Sequence, residues 1–222
     1  MSQWITLETT VGPVQAWQAI PLQPAHGAVI VVQEIFGANG HVRDVANRLA
    51  QAGFVALAPA MFDPVQPGAD LPYTDEGMAR GREYAAHLGF DGALAITRAA
   101  SRRLRESGHA VAAMGFCWGG SVAYLANTRL GMPAVSWYGA RTVPFLHEPL
   151  QAPMQFHFGE DDPLIPQDAI VAHRRAHPDA DIHVYAGAGH AFNRDVDPHH
   201  YAAEAAALAW QRSIGFLRDA LG

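Results

Sequence analysis

The sequence predicts an α/β fold with a mainly parallel central sheet, helices on both faces, and an antiparallel hairpin at one edge near the N-terminus. Apolar runs such as Ala28 to Gln33 and Ala110 to Met114 have the β-branched, unalternating character of strands buried on both faces. Segments whose apolar residues recur at three and four positions alternate with those runs, as repeated βα units require. Only the first twenty residues break the alternation.

The elements follow in order. Ile5 to Thr9 and Val14 to Ile20, joined around Gly12-Pro13, read as a hairpin at the sheet edge, where a proline is tolerated. After the strand Ala28 to Gln33, Asn39 can cap a helix that carries Val42, Val45 and Leu49 on one face, with Gly53 placed to end it. Phe54 to Ala58 returns as a strand. The stretch Pro59 to Asp75 holds four prolines besides Gly68 and reads as a long loop, a usual source of lids and binding walls. A helix over Gly92 to Glu106 (Ile96, Ala100, Leu104), the strand Ala110 to Met114 and a helix over Ser121 to Leu130 come next. Strands Ala134 to Tyr138, Met154 to Phe158 and Ile182 to Tyr185 follow, and a last helix from about His200 to Ala220 sets Trp210, Ile214 and Leu217 toward the core.

At 222 residues, half of them apolar, the chain has the length of one sizeable core, so a single domain over 1–222 is expected. A formal charge of −6 without any basic block argues against nucleic acid, and Arg102, Arg103 and Arg105 read as a solvated helix face. No segment approaches the ~20 apolar residues that span a bilayer. Met1 to Trp4 has no signal-peptide character, and one cysteine makes no internal disulfide, so a reducing, cytoplasmic setting is expected.

That cysteine is the informative residue. A lone cysteine is ordinarily a small buried apolar side chain, but Gly115-Phe116-Cys117-Trp118-Gly119 places this one where a strand turns sharply into a helix, as in the nucleophile elbow of the α/β-hydrolase fold. A thiol with a pKa near 8.5 needs a base to attack at neutral pH. Two loops at carboxyl ends of later strands offer one: Gly159 to Pro163, with Asp161 and Asp162, and Gly187 to His190. Singly, these are ordinary turn aspartates and one of 12 histidines. Together they give the order nucleophile, acid, histidine at the edge where open α/β sheets build their sites. Spacing alone does not separate Asp162 from Asp161.

These residues resemble the dienelactone hydrolases (carboxymethylenebutenolidases) over essentially the whole chain. The likeness rests on Gln33-Glu34-Ile35-Phe36-Gly37, Gly115 to Gly120, Trp137-Tyr138-Gly139, Asp162 four residues before Pro166, and Gly189-His190-Ala191-Phe192 with Arg194 beyond. It implies a triad of Cys117, Asp162 and His190, a Glu34 that contacts the resting thiol until substrate displaces it, and an oxyanion hole from the backbone N–H groups of Ile35 and Trp118. It also implies arginines for a substrate carboxylate: Arg194, and a second that falls on Arg80 or Arg82. Tyr138 is a candidate donor into the pocket, though an aromatic at a strand end is more often core. The chain departs from the family pattern at Ala191, at Trp118 and in a shortened Pro59 to His87 region, all of which bear on substrate choice.

The expected activity is therefore a cysteine-dependent hydrolysis of small anionic enol lactones, dienelactone to maleylacetate, through a thioester. No cofactor is expected and no metal, since His199-His200 lacks further ligands. The expected partner is a small ester or lactone, with neither nucleic acid nor membrane involved, and the expected state is a monomer or weak homo-oligomer. The rival readings are a related esterase or thioesterase and a non-catalytic thiol sensor.

Overall fold

A computed structural model describes all 222 residues. Eight strands form one sheet. β1 (Ser2–Thr9) and β2 (Gly12–Ala19) make the antiparallel hairpin, and β2 pairs antiparallel with β4 (Val55–Pro59). The parallel strands are β3 (Ala28–Val32), β4, β5 (Val111–Phe116), β6 (Ala134–Trp137), β7 (Met154–Gly159) and β8 (Asp181–Tyr185), and the order across the sheet is β1-β2-β4-β3-β5-β6-β7-β8. Every residue of β3 to β7 is buried, as their unalternating composition requires.

The connections explain where a site can form. β3 leads through α1 (Gly40–Gln51) to β4 on one side, and β4 leads through α2 (Asp75–Glu106) back past β3 to β5 on the other. Right-handed crossovers in opposite directions put α1 and α2 on opposite faces and open a crevice outside the carboxyl ends of β3 and β5. α3 (Trp118–Leu130) joins α2 on its face, α5 (Ala203–Leu221) joins α1 on the other, where Arg48 lies over the Trp210 ring, and α4 (Gln167–Ala176) precedes β8. Asn39 caps α1 as expected, its Oδ1 accepting from the Val42 N–H at 3.1 Å.

One boundary differs from expectation in a way that matters. The expected helix from Gly92 is the second half of a longer one: α2 starts at Asp75, capped by the Thr74 hydroxyl on Gly77, and bends at Gly89, whose φ of 66° and ψ of 174° leave the helical region. The long loop runs between Pro59 and Asp75, the bounds expected for it, and the segment from Asp75 to His87, part of the expected pocket wall, is helical. α4 had not been anticipated as an element. No helix is long and apolar enough to cross a membrane.

Candidate active site

Cys117 stands at the tip of β5 with φ 54° and ψ −117°, a conformation that costs a non-glycine residue of order 1–3 kcal/mol. The turn closes because residue 119 has no side chain: a Cβ there would lie 2.3 Å from the carbonyl oxygens of both Val32 and Gln33. The thiol therefore projects from the start of α3 at the β3/β5 crevice, half-buried. The only other non-glycine residues with positive φ are Tyr138 (40°) and Ala191 (62°), at the ends of β6 and beside His190. The positive-φ side-chain-bearing residues thus lie just after β5, just after β6 and in the loop that follows β8, around one place.

The loops after β7 and β8 meet there. His190 Nδ1 donates to Asp162 Oδ2 at 2.7 Å, and the other carboxylate oxygen accepts from the Leu164 N–H at 2.8 Å. Asp161 is exposed and takes no part, which resolves the pair that spacing left open. The carboxylate fixes the imidazole with Nε2 buried and free of other hydrogen-bond partners, and the Cys117 sulfur is close enough to act on it electrostatically. Burial pushes the His190 imidazolium down; the charge interaction with Cys117 and the bond to Asp162 outweigh that and hold it up at about 10.

The backbone N–H groups of Ile35 and Trp118 donate to no group in the protein, Trp118 because it is the first residue of α3. The Ile35 loop is held on both sides. The buried Gln33 amide accepts from the Met61 N–H at 3.0 Å and donates to the Glu34 carbonyl at 3.2 Å, while α2 presses on the loop through Gly81, where a Cβ would stand 2.0 Å from the Ile35 oxygen.

Glu34 corrects one expectation. Both of its carboxylate oxygens accept from Arg194, Oε2 from Nε at 3.0 Å and Oε1 from Nη2 at 3.1 Å, so its hydrogen bonds go to that guanidinium rather than to the thiol. Arg194 is also less free than expected: Nη1 donates to Asp197 at 3.1 Å, and the guanidinium lies over the Tyr73 and Phe36 rings at 4.3 and 5.1 Å. Burial opposes its charge, but Glu34 more than compensates and raises its pKa.

A cavity of about 450 Å³ opens above the thiol, lined by Ile35, Trp118, His190, Arg194, Tyr73 and Leu164 among others. Arg82 lines it; Arg80 does not, and pairs loosely with Glu76 on the solvent side of α2. Tyr138 is wholly buried beneath the cavity, its ring 5.2 Å from that of His190, so it supports the histidine rather than facing a ligand. Burial pushes its unpartnered hydroxyl well above the ordinary tyrosine range, with Glu34 adding to the effect. Sequence reading missed Arg141, which lines the cavity; its place just beyond the carboxyl end of β6 was the available signal. His199 and His200 belong to no cluster of three metal-binding side chains, and His200 instead bonds Asp197 at 2.8 Å.

Comparison with known proteins places these features in context. The sequence profile of the Dienelactone hydrolase family matches residues 14–221. A protein of Escherichia coli named "Putative carboxymethylenebutenolidase" is 37% identical over 214 residues, covering 86% of this chain and 76% of its own. The carboxymethylenebutenolidase of Pseudomonas putida is 31% identical over 210 residues, covering 89% and 87%. A crystal structure described as a "Putative Dienelactone Hydrolase" from Klebsiella pneumoniae superposes with a TM-score of 0.85 at 29% identity, covering 97% of each chain.

Proposed function

The chain belongs to the dienelactone hydrolase family and is a carboxylic ester hydrolase, and from that premise we propose that it hydrolyses small anionic enol lactones, dienelactone to maleylacetate, through a thioester on Cys117. The Cys117 thiolate attacks the lactone carbonyl, and the developing oxyanion is held by the Ile35 and Trp118 N–H groups. The tetrahedral intermediate collapses as the ring C–O bond breaks, and the departing enolate takes the proton of His190. A water that gives its proton to His190 then attacks the thioester, and the carboxylate product leaves as the thiolate is regenerated. Asp162 keeps the imidazole in the tautomer both steps need. A substrate carboxylate that competes for Arg194 frees Glu34, so the ion pair is exchanged as the substrate is committed.

The observation that carries this reading is the joint placement, at one crevice, of a thiol in a strained turn and a histidine oriented by a 2.7 Å bond to a buried carboxylate. A thiol sensor needs no such oriented base. Steady-state rates on dienelactone and on neutral aryl esters test it. Cys117→Ala should lower kcat by about four orders of magnitude or more, and intact-mass spectra of the unmodified enzyme during turnover should show an acyl adduct on Cys117. The preference for the anionic lactone should weaken in Arg194→Ala. Retained turnover in Cys117→Ala, or a thiol that gathers only oxidation products, would overturn the reading.

A further inference from the structure

Three of the five N–H donors of Arg194 are already engaged. Glu34 takes two and Asp197 a third, so an arriving anion finds only the second N–H of each terminal nitrogen, beside two carboxylates that repel it. Arg82 and Arg141 line the same cavity and pair with no carboxylate; Arg82 rests only on the Met78 sulfur, at 3.1 Å. Their elements fix them on either side of the thiol. Cys117 ends β5, and β5 lies between β3 and β6. Arg82 comes from the half of α2 that packs on the loop after β3, whereas Arg141 comes from the loop after β6.

The Arg141 backbone is held firmly although its side chain is exposed. Its N–H donates to the buried Ser121 hydroxyl at 3.0 Å, and the next residue, buried Thr142, bonds His173 Nε2 at 2.7 Å. The guanidinium therefore springs from a fixed base, and in a protein of net charge −6 it supplies local positive potential where an anion must enter.

We infer that Arg141, facing Arg82 across the cleft, is the anion-capturing subsite of this enzyme: it takes the carboxylate of an anionic ester or lactone at the mouth before any exchange at Arg194. This rests on the proposed function for the identity of the substrate, but the capture of anions beside Cys117 stands apart from hydrolysis. Arg141 thus sets KM for anionic substrates, whereas exchange at Arg194 governs kcat.

Alkylation of Cys117 tests capture without requiring turnover. The ratio of the rate constants for iodoacetate, an anion, and iodoacetamide, its neutral counterpart, should fall at least fivefold in Arg141→Ala and be largely kept in Arg141→Lys. Turnover of mono-para-nitrophenyl adipate against para-nitrophenyl hexanoate gives the second reading: in Arg141→Ala, KM for the adipate should rise about tenfold with kcat little changed, so that discrimination between the esters is lost. An unchanged alkylation ratio, a fall seen only in Arg82→Ala, or a loss confined to kcat overturns the assignment. If instead Cys117→Ala hydrolyses both esters while the alkylation ratio still depends on Arg141, the proposed chemistry fails and the subsite stands.

Discussion

His190 is where single-residue chemistry is most exposed to test. Its pKa of about 10 results from the charge interaction with Cys117 and the bond to Asp162 overcoming burial. The folded value lies above the ordinary 6.5, so the stabilisation from its protonation is complete below pH 6.5 and disappears as pH rises through about 10. Titration of the His190 ring by NMR should place its midpoint well above neutrality, and Cys117→Ala should bring it down by more than about one unit. An unmoved midpoint in that variant would show that the sulfur is not the cause. The convergence of Cys117, Asp162 and His190 was legible in the sequence because each sits on a motif whose residue types the local turn dictates. The Glu34–Arg194 pair was not: its partners lie 160 residues apart, and nothing local to either shows that the two bond each other.

At the scale of elements, the proposed oxyanion hole depends on how closely α2 lies against the Ile35 loop. Gly81→Ala would set a methyl group 2.0 Å from the Ile35 carbonyl oxygen, so the loop must retreat and carry its N–H with it. Loss of one oxyanion donor costs roughly 10²–10³ in kcat. The variant should therefore stay folded by circular dichroism and lose roughly that factor, with KM changed far less; a kcat within twofold of the parent enzyme would remove Ile35 from the oxyanion hole. The buried strands were readable because a parallel sheet covered on both faces leaves no polar positions within them. The first half of α2 was hidden by its own composition. Gly77, Gly81 and Gly89 dilute its helical signal, and its start follows a proline-rich stretch, yet Thr74 caps it and Ala85 turns inward. Those glycines are present for close approach and for the bend, which is why intrinsic propensity misreads the segment.

For the whole molecule, acid is the weak side. His41, His157 and His173 are buried, and burial lowers the pKa of each below 6.5. His157 is the clearest case, held between the Tyr185 hydroxyl at 2.8 Å, Gln155 at 2.8 Å and the Ser213 hydroxyl at 2.9 Å. A histidine whose folded pKa is lowered stays neutral in the fold while the unfolded chain takes up its proton, so stability falls as pH drops below about 6.5, at roughly 1 kcal/mol per pH unit for each such residue. Urea midpoints at pH 7 and pH 5 should differ clearly, with the acid value lower; equal midpoints would mean that these rings accept protons in the native state. The bend at Gly89 carries a different consequence. It joins a covalently continuous helix whose later half belongs to the scaffold and whose earlier half furnishes a wall for the ligand. Substitutions at the cavity-facing positions of that earlier half, Met78 and Arg82, would redirect which acyl groups are accepted as long as Gly81 stays in place against the Ile35 loop, making them the rational place to seek new substrate ranges by directed evolution.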